Sequence, residues 1–305
     1  MPKEPLVSII INTHNDTKYL NEAIKSAVSQ TYSNTEIILF DNSSNVDIRA
    51  SIDNYLEEIK YFRSEKFLTL GAARNSAITH TNGEFITFLD ADDIFLEDKL
   101  VRQIPYFIDK DVGLVYSNAY HMSNKNSKWI DEKLHTEHMP EGKIFSELLK
   151  KNFIPFNTAI IRKSCLSHDR LYWFNENFNF CTDYELFLRI THDFKVCYVN
   201  EVLGKWRIHG GNYTLKKPYL ASAERYLMIP RVLEFEPELF DKHKKEMDIY
   251  LSEVFLDMGR YFMHINRRSK AIICVIISII NSFNGKNIKI LFHYLFPFIN
   301  RIRLR

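Results

Sequence analysis

The sequence predicts an α/β protein built on a mostly parallel, doubly wound sheet, with a helical region at its C-terminal end. Short β-branched runs alternate with helical stretches over about the first hundred residues, polar residues stand at the carboxyl ends of those runs, and strand alternation stops near Pro218.

Taken in order, Leu6 to Ile11 is a continuous apolar run of the kind that fills a central parallel strand. Thr17 can cap a helix whose apolar residues Leu20, Ala23, Ile24, Ala27 and Val28 recur at helical spacing. Glu36 to Phe40 reads as a second strand ending at Asp41, and the polar break 42–45 leads into a helical stretch up to about Glu58. Lys60 to Arg63 reads as a third strand, and Ala72 to Ile78 as a short helix opened by Gly71. Phe85 to Leu89 is a fourth strand that runs into Asp90-Ala91-Asp92-Asp93, with a helix expected over 95–107. Strands over 112–117 and 195–199 and helices over 144–150 and 184–191 complete this part, and the pattern beyond Pro218 is helical. These boundaries predict a first domain over 1–215 and a helical region over 216–305.

Right-handed crossovers in such a sheet put the ligand site beyond the carboxyl ends of the strands. Thr13 and Asn15 follow the first strand, Asp41 the second, and the acidic cluster the fourth, so three polar strand ends converge.

Composition excludes several classes. With 46% hydrophobic and 14% aromatic residues in 305, the chain has ample material for a core and is not disordered. A net charge of +2 offers no field for gathering nucleic acid. The charge is uneven, however: from Asp257 onward there are nine basic residues and one acid, a net +8, against −6 for the rest. Such a tail is expected to meet something anionic. The four cysteines show no CxxC spacing and read as reduced thiols, and the first apolar run is too short for a secretory signal, so a cytoplasmic location is expected.

Asp90, Asp92 and Asp93 repel one another unless a cation or hydrogen bonds hold them ionised. A hard divalent ion, Mg²⁺ or Mn²⁺, takes carboxylate oxygens together with the phosphate oxygens of a nucleotide. The plainer alternative is an acidic turn capping the next helix.

Context bears on that choice. Val7 to Asn15, Ala23 to Tyr32, Glu36 to Ser44, Gly71-Ala72-Ala73-Arg74-Asn75 and Gly83 to Asp93, in this order and spacing, resemble glycosyltransferase family 2 over about residues 5–215. The resemblance implies the GT-A fold and an inverting enzyme that uses a nucleotide sugar, with UDP as the expected nucleotide and Mn²⁺ or Mg²⁺ as cofactor. On it, Thr13 and Asn15 fall at the nucleoside, Asp41 at the uracil ring, Arg74 near the base and diphosphate, and Asp90 and Asp92 at ribose and metal, with Asp93 extending toward the metal. Cys181 to Arg189 resembles the segment that supplies the family's general base, which falls on Asp183; Thr182 stands where Glu is usual, leaving that neighbour's role open. Trp206 to Asn212 resembles the family's (Y/W)RxHxxN segment, which makes His209 a metal or diphosphate ligand candidate and Arg207 a phosphate partner. Asn157 and Trp173 are acceptor-pocket candidates by position. The acceptor implied is a saccharide or lipid-linked saccharide of a bacterial surface polysaccharide.

Direct displacement at an anomeric carbon needs one carboxylate to take the acceptor's proton and a cation to steady the leaving diphosphate. Two other classes fit less well. A non-catalytic nucleotide-sugar scaffold has no chemical reason to hold Asp92, Asp93 and Asp183 together, and a nucleotidyltransferase would show a Gly-rich phosphate loop where Asn12-Thr13-His14-Asn15 stands.

The tail holds two apolar stretches, Ala271 to Ile280 and Ile288 to Ile299, with Asn284-Gly285-Lys286 between them. Both are shorter than the roughly 18–20 residues a spanning helix needs. They are expected either to lie in an anionic membrane surface as a hairpin over 266–305 or to pack on themselves or on a second copy in a homo-oligomer.

Overall fold

The computed structural model describes residues 4–125, 128–166, 173–212, 216–283 and 285–295. Residues 213–215 at the expected domain boundary, Asn284 between the apolar stretches and residues 296–305 of the basic tail lie outside them.

The chain divides into two compact units, Met1–Phe145 with Phe153–Gly210, and Ser146–Asn152 with Gly211–Arg305. The first holds a nine-stranded mixed sheet among the described residues. Its parallel half is β3 (Ile59–Arg63), β2 (Thr35–Asp41), β1 (Val7–Thr13) and β4 (Phe85–Asp90), in that spatial order. β1 is covered on both faces, which is why Val7, Ile9, Ile10 and Ile11 are all shielded from solvent. Register brings Thr13 beside Asp41 and Asn12 beside Asp90, so the strand-end residues meet at one edge. β8 (Ile160–Arg162) joins β4 antiparallel; β6 (Val112–Lys125), β9 (Lys195–Ile208) and β5 (Ile94–Phe95) extend the sheet, and β7 (Lys128–Lys133) pairs with β6 as a hairpin.

Helix α1 (Leu20–Val28) turns Leu20, Ala23, Ile24 and Ala27 onto the sheet as its spacing predicts. Helix α2 (Leu70–Ile78) is capped by Thr69, whose Oγ1 accepts from the Ala72 N–H. Gly71 is required there: a Cβ would lie 2.0 Å from the Asn175 carbonyl oxygen, whose segment packs directly on the helix start.

Two expected helices fold otherwise. The stretch after Asp41 forms 3₁₀ turns at Arg49–Ser51 and Asp53–Tyr55, because Asp47 takes the Ala50 N–H on its side chain and the Ser51 hydroxyl on its carbonyl. The expected helix over 95–107 is β5, then α3 (Lys99–Gln103), then a 3₁₀ turn at Ile104–Ile108. Ile94 and Phe95 pair instead with Lys205 and Gly204 of β9, and Pro105 cannot donate to an α-helical ladder.

Helix α5 (Thr182–Asp193) lies in the first unit, whereas α4 (Phe145–Lys150), from Ser146 on, belongs to the second with α6 (Pro218–Phe235), α7 (Leu239–Lys242), α8 (Lys244–His264), α9 (Arg268–Asn281) and α10 (Gly285–Leu295). The last three share a core of Leu256, Ala271, Val275 and Tyr294. Beside it Ser252, Ser278 and Asn287 form a buried polar network, with Asn287 Nδ2 donating to Ser252 Oγ at 3.0 Å and to Ser278 Oγ at 2.8 Å. Among the described residues no helix is long and apolar enough to cross a membrane.

Candidate active site

The site lies at the carboxyl ends of β1, β2 and β4. At the β1 end, Thr13 is buried and donates from Oγ1 to the Asp16 carbonyl at 3.1 Å. Asn15 is exposed and adopts φ 57°, a left-handed conformation that asparagine tolerates. That turn lets its backbone N–H reach Ser44 Oγ at 2.8 Å and its Oδ1 accept the Asn45 N–H at 2.6 Å, tying the β1 and β2 ends together.

Asp41 is fully enclosed. Its Oδ1 accepts the Ser44 N–H at 2.8 Å, and its Oδ2 accepts from Tyr61 Oη at 2.7 Å and Arg63 Nη1 at 2.8 Å. A carboxylate offers about four acceptor positions, so these three bonds leave one. The turn is built by Ser43 at φ 57°, a sparse conformation for serine.

At the β4 end the acidic residues have separate surroundings. Asp90 is the open one, 44% exposed, with Oδ1 accepting from Arg74 Nη2 at 3.1 Å. Asp92 Oδ2 lies 2.9 Å from His209 Nε2, and burial together with the Asp90 charge raises the Asp92 pKa against the pull of His209. Asp93 is buried with both oxygens engaged: Oδ1 accepts the Arg207 backbone N–H at 2.9 Å and Oδ2 accepts from Asn157 Nδ2 at 3.0 Å. Its pKa is raised well above the usual value by burial and then by Asp92 and Asp90.

Arg207 is buried and holds this loop. Its Nε donates to the Asp92 carbonyl at 2.8 Å and its Nη2 to Glu22 at 2.6 Å, while Tyr19 and Trp129 flank the guanidinium with ring centres 4.1 and 5.0 Å away. Asn157 also donates to the Lys205 carbonyl at 2.9 Å, so it too braces the loop. The structure thus brings His209, Arg207 and Asn157 to the acidic cluster, with Arg207 and Asn157 in supporting positions.

Arg74, buried in α2, connects this cluster to the other acidic centre. Nη2 reaches Asp90, Nη1 donates to Thr182 Oγ1, and the guanidinium lies 3.9 Å from the centre of the Phe156 ring. Thr182 opens α5, and Asp183 follows it in the first turn. Burial raises the Asp183 pKa, opposed by the Arg74 charge and the Tyr184 backbone N–H. A raised pKa at a helix start, with a cation nearby, suits a carboxylate that must take a proton near neutrality.

Its neighbour Glu185 is buried and held by Arg189, with Oε1 on Nε at 3.0 Å and Oε2 on Nη2 at 2.6 Å. Trp173 is half-buried, its carbonyl accepting from Arg189. The sequence reading missed Tyr19, Glu22, Phe156 and Trp129. Trp129 stands 40% exposed on the β6–β7 hairpin beside Arg207 and Tyr19, and nothing in its flanking residues signals that position.

The family described as Glycosyl transferase family 2 matches residues 8–168, just over half of the chain. An uncharacterized glycosyltransferase of Methanocaldococcus jannaschii is 32% identical over 217 residues, covering 67% of this chain and 71% of its own length. The Escherichia coli enzyme WfgD, a UDP-Glc:alpha-D-GlcNAc-diphosphoundecaprenol beta-1,3-glucosyltransferase, is 28% identical over 218 residues, covering 70% and 81%. Among solved structures, S. aureus TarS 1-349 in complex with UDP-GlcNAc superposes with a TM-score of 0.58 at 17% identity, over 95% of this chain and 91% of that one. The mannosyltransferase PcManGT of Pyrobaculum calidifontis, in complex with GDP-Man and Mn²⁺, gives 0.61 at 14% identity, over 100% and 82%. These likenesses confirm the GT-A-like fold with its C-terminal helices. The chain therefore belongs to glycosyltransferase family 2 and is a nucleotide-sugar-dependent glycosyltransferase.

Proposed function

We propose that this enzyme is an inverting, divalent-metal-dependent transferase that moves a sugar from a UDP-sugar to a hydroxyl of a saccharide or lipid-linked saccharide during synthesis of a cell-surface polysaccharide. The observation that supports it most is the buried Arg74, which joins Asp90 of the acidic loop to the Thr182–Asp183 helix start, so two carboxylate centres occupy one constellation.

In this reading Asp183 accepts the acceptor hydroxyl's proton as oxygen attacks the anomeric carbon, opposite the departing diphosphate. Arg74 pairs with Asp90 and fixes the start of α5 through Thr182. Arg207 and Asn157 hold Asp93 and, through it, the shape of the loop. The donor set fits a divalent ion: Asp92 and His209 offer oxygen and nitrogen 2.9 Å apart, and the like charges of Asp90 and Asp92 call for a cation. Among the described residues no group of three or more ligating side chains gathers. When bound, such an ion supplies neutralisation of the leaving phosphate charge.

UDP is favoured by the name of WfgD and by the nucleotide sugar bound in TarS, whereas PcManGT carries GDP-Man. The uracil contact assigned to Asp41 requires its fourth acceptor position to open, since Tyr61, Arg63 and the Ser44 turn enclose the other three. Trp129 offers an exposed aromatic face to the acceptor sugar. The acceptor named for WfgD is lipid-linked, and in this reading the enzyme works at the cytoplasmic face of a membrane, its basic tail 266–305 meeting anionic lipid.

Hydrolysis and transfer measured over UDP-Glc, UDP-GlcNAc and GDP-Man, each with Mn²⁺ and with EDTA, test this reading. Turnover of a UDP-sugar that EDTA abolishes is expected. Turnover confined to GDP-Man would overturn the donor assignment, and full activity in EDTA would overturn the metal.

A further inference from the structure

Helix α9 is partly inverted. Its fully buried positions are small, Ala271, Cys274, Val275 and Ser278, and while Ile272 and Ile279 pack against the core from its flanks, three of its isoleucines face solvent. Ile273, Ile276 and Ile280 are 56%, 43% and 77% exposed, and Phe283, just past the helix end, is 77% exposed. At 100° per residue the three isoleucines form one stripe opposite the buried four. A helix that ends its packing in water normally turns its large apolar residues inward.

The cause of the inversion is visible in the packing partner. Gly259 of α8 faces α9 so closely that a Cβ there would lie 3.0 Å from Val275 Cγ2 and 3.2 Å from the Ala271 carbonyl oxygen. Close helix approach therefore uses the small side, anchored by the Ser252, Ser278 and Asn287 network, and leaves Ile273, Ile276 and Ile280 without a cover on the described chain.

We propose that this outward face of α9 docks into the interfacial layer of an anionic lipid bilayer. Charge selects that occupant. Beyond Asp257 the sequence has no further acid, and Arg267, Arg268, Lys270, Lys286 and Lys289 surround the stripe in sequence, followed by Arg301, Arg303 and Arg305. A second copy docking face to face would set this basic stretch against itself, because a two-fold interface brings the same patch from both sides. A spanning mode does not fit either: the 14 residues of α9 reach about 21 Å, short of the roughly 30 Å hydrocarbon core. The face lies on the membrane and does not cross it.

This deepens the membrane contact proposed above, and its test reads lipid partition, so it can fail while the transferase reading stands. The full chain is sedimented with vesicles of equal parts phosphatidylcholine and phosphatidylglycerol, and with pure phosphatidylcholine. Binding to the first, weakened by salt and slight on the second, is expected. The double variant Ile280→Glu/Phe283→Glu should lose about tenfold or more in partition, with unchanged melting and nucleotide binding, because both side chains already face water. The control Ile108→Glu, at a 91% exposed site in the first unit, should bind like the parent. Parental partition by the double variant would overturn the proposal. A dimer in light scattering that the double variant dissolves, with no vesicle binding by the parent, would assign the face to a second copy instead.

Discussion

Lys99 is completely enclosed, with Nζ 3.1 Å from Thr87 Oγ1 and 4.6 Å from the centre of the Phe95 ring. Burial pushes its pKa well below the usual lysine value. The folded chain then binds fewer protons than the unfolded one at any pH between that lowered value and the ordinary one near about 10.4, so stability rises with pH across that window. Lys99→Met should stabilise the protein at neutral pH and flatten this slope. Melting midpoints compared between about pH 7 and about pH 10 check it; an unchanged slope would mean another group carries it. At Asp92 the expected effect is on ligand binding: Asp92→Asn should weaken Mn²⁺-dependent UDP binding by at least about tenfold, the cost of roughly one charged hydrogen bond or ligand contact. Calorimetry showing parental affinity in Mn²⁺ would remove Asp92 from the metal site. Residue types at strand ends made Asp41, Asp90, Asp92 and Asp93 legible in sequence. The partners that decide their chemistry were not: Arg74 meets Thr182 across 108 residues and Arg207 meets Glu22 across 185.

Elements with an unbroken period were the readable ones. β1, β2 and β4 are β-branched or aromatic runs buried on both faces, and their positions follow from the pattern alone. β6 and β9 read as short strands over 112–117 and 195–199 but extend to Lys125 and Ile208. Their register shifts around Ser117, Asn118 and Ala119, and an irregular pair of strands no longer alternates in a way the pattern detects. That extension carries Arg207 on β9 and leads through the β6–β7 hairpin to Trp129. If Trp129 stacks on the acceptor sugar, Trp129→Ala should raise the acceptor KM by about tenfold, in line with about 1 kcal/mol for an aromatic contact, while donor KM holds. Steady-state kinetics with each substrate varied in turn distinguish this; a change confined to donor KM would place Trp129 with the nucleotide.

At the scale of the whole molecule, the family match covers residues 8–168, the M. jannaschii relative covers 67% of the chain, and the first unit contains every residue assigned to chemistry. The second unit was legible only as helical and basic. Its pairing of small residues at α8 and α9 depends on tertiary approach, and the short helix α4 joins it from the middle of the sequence, with Ser146 Oγ 3.2 Å from His243 Nδ1. In the proposed mechanism one constellation holds two acidic centres, one for the leaving diphosphate and one for the acceptor's proton. Sugar transfer and nucleotide binding measured side by side on the parent and on Asp183→Asn test that claim most directly. The substitution keeps size and a capping oxygen but cannot take a proton near neutrality. Unchanged folding and nucleotide affinity with kcat reduced by about 10²–10⁴ is expected, whereas transfer at the parental rate would remove Asp183 from the mechanism, with no second base in reserve at Glu185, which Arg189 already holds.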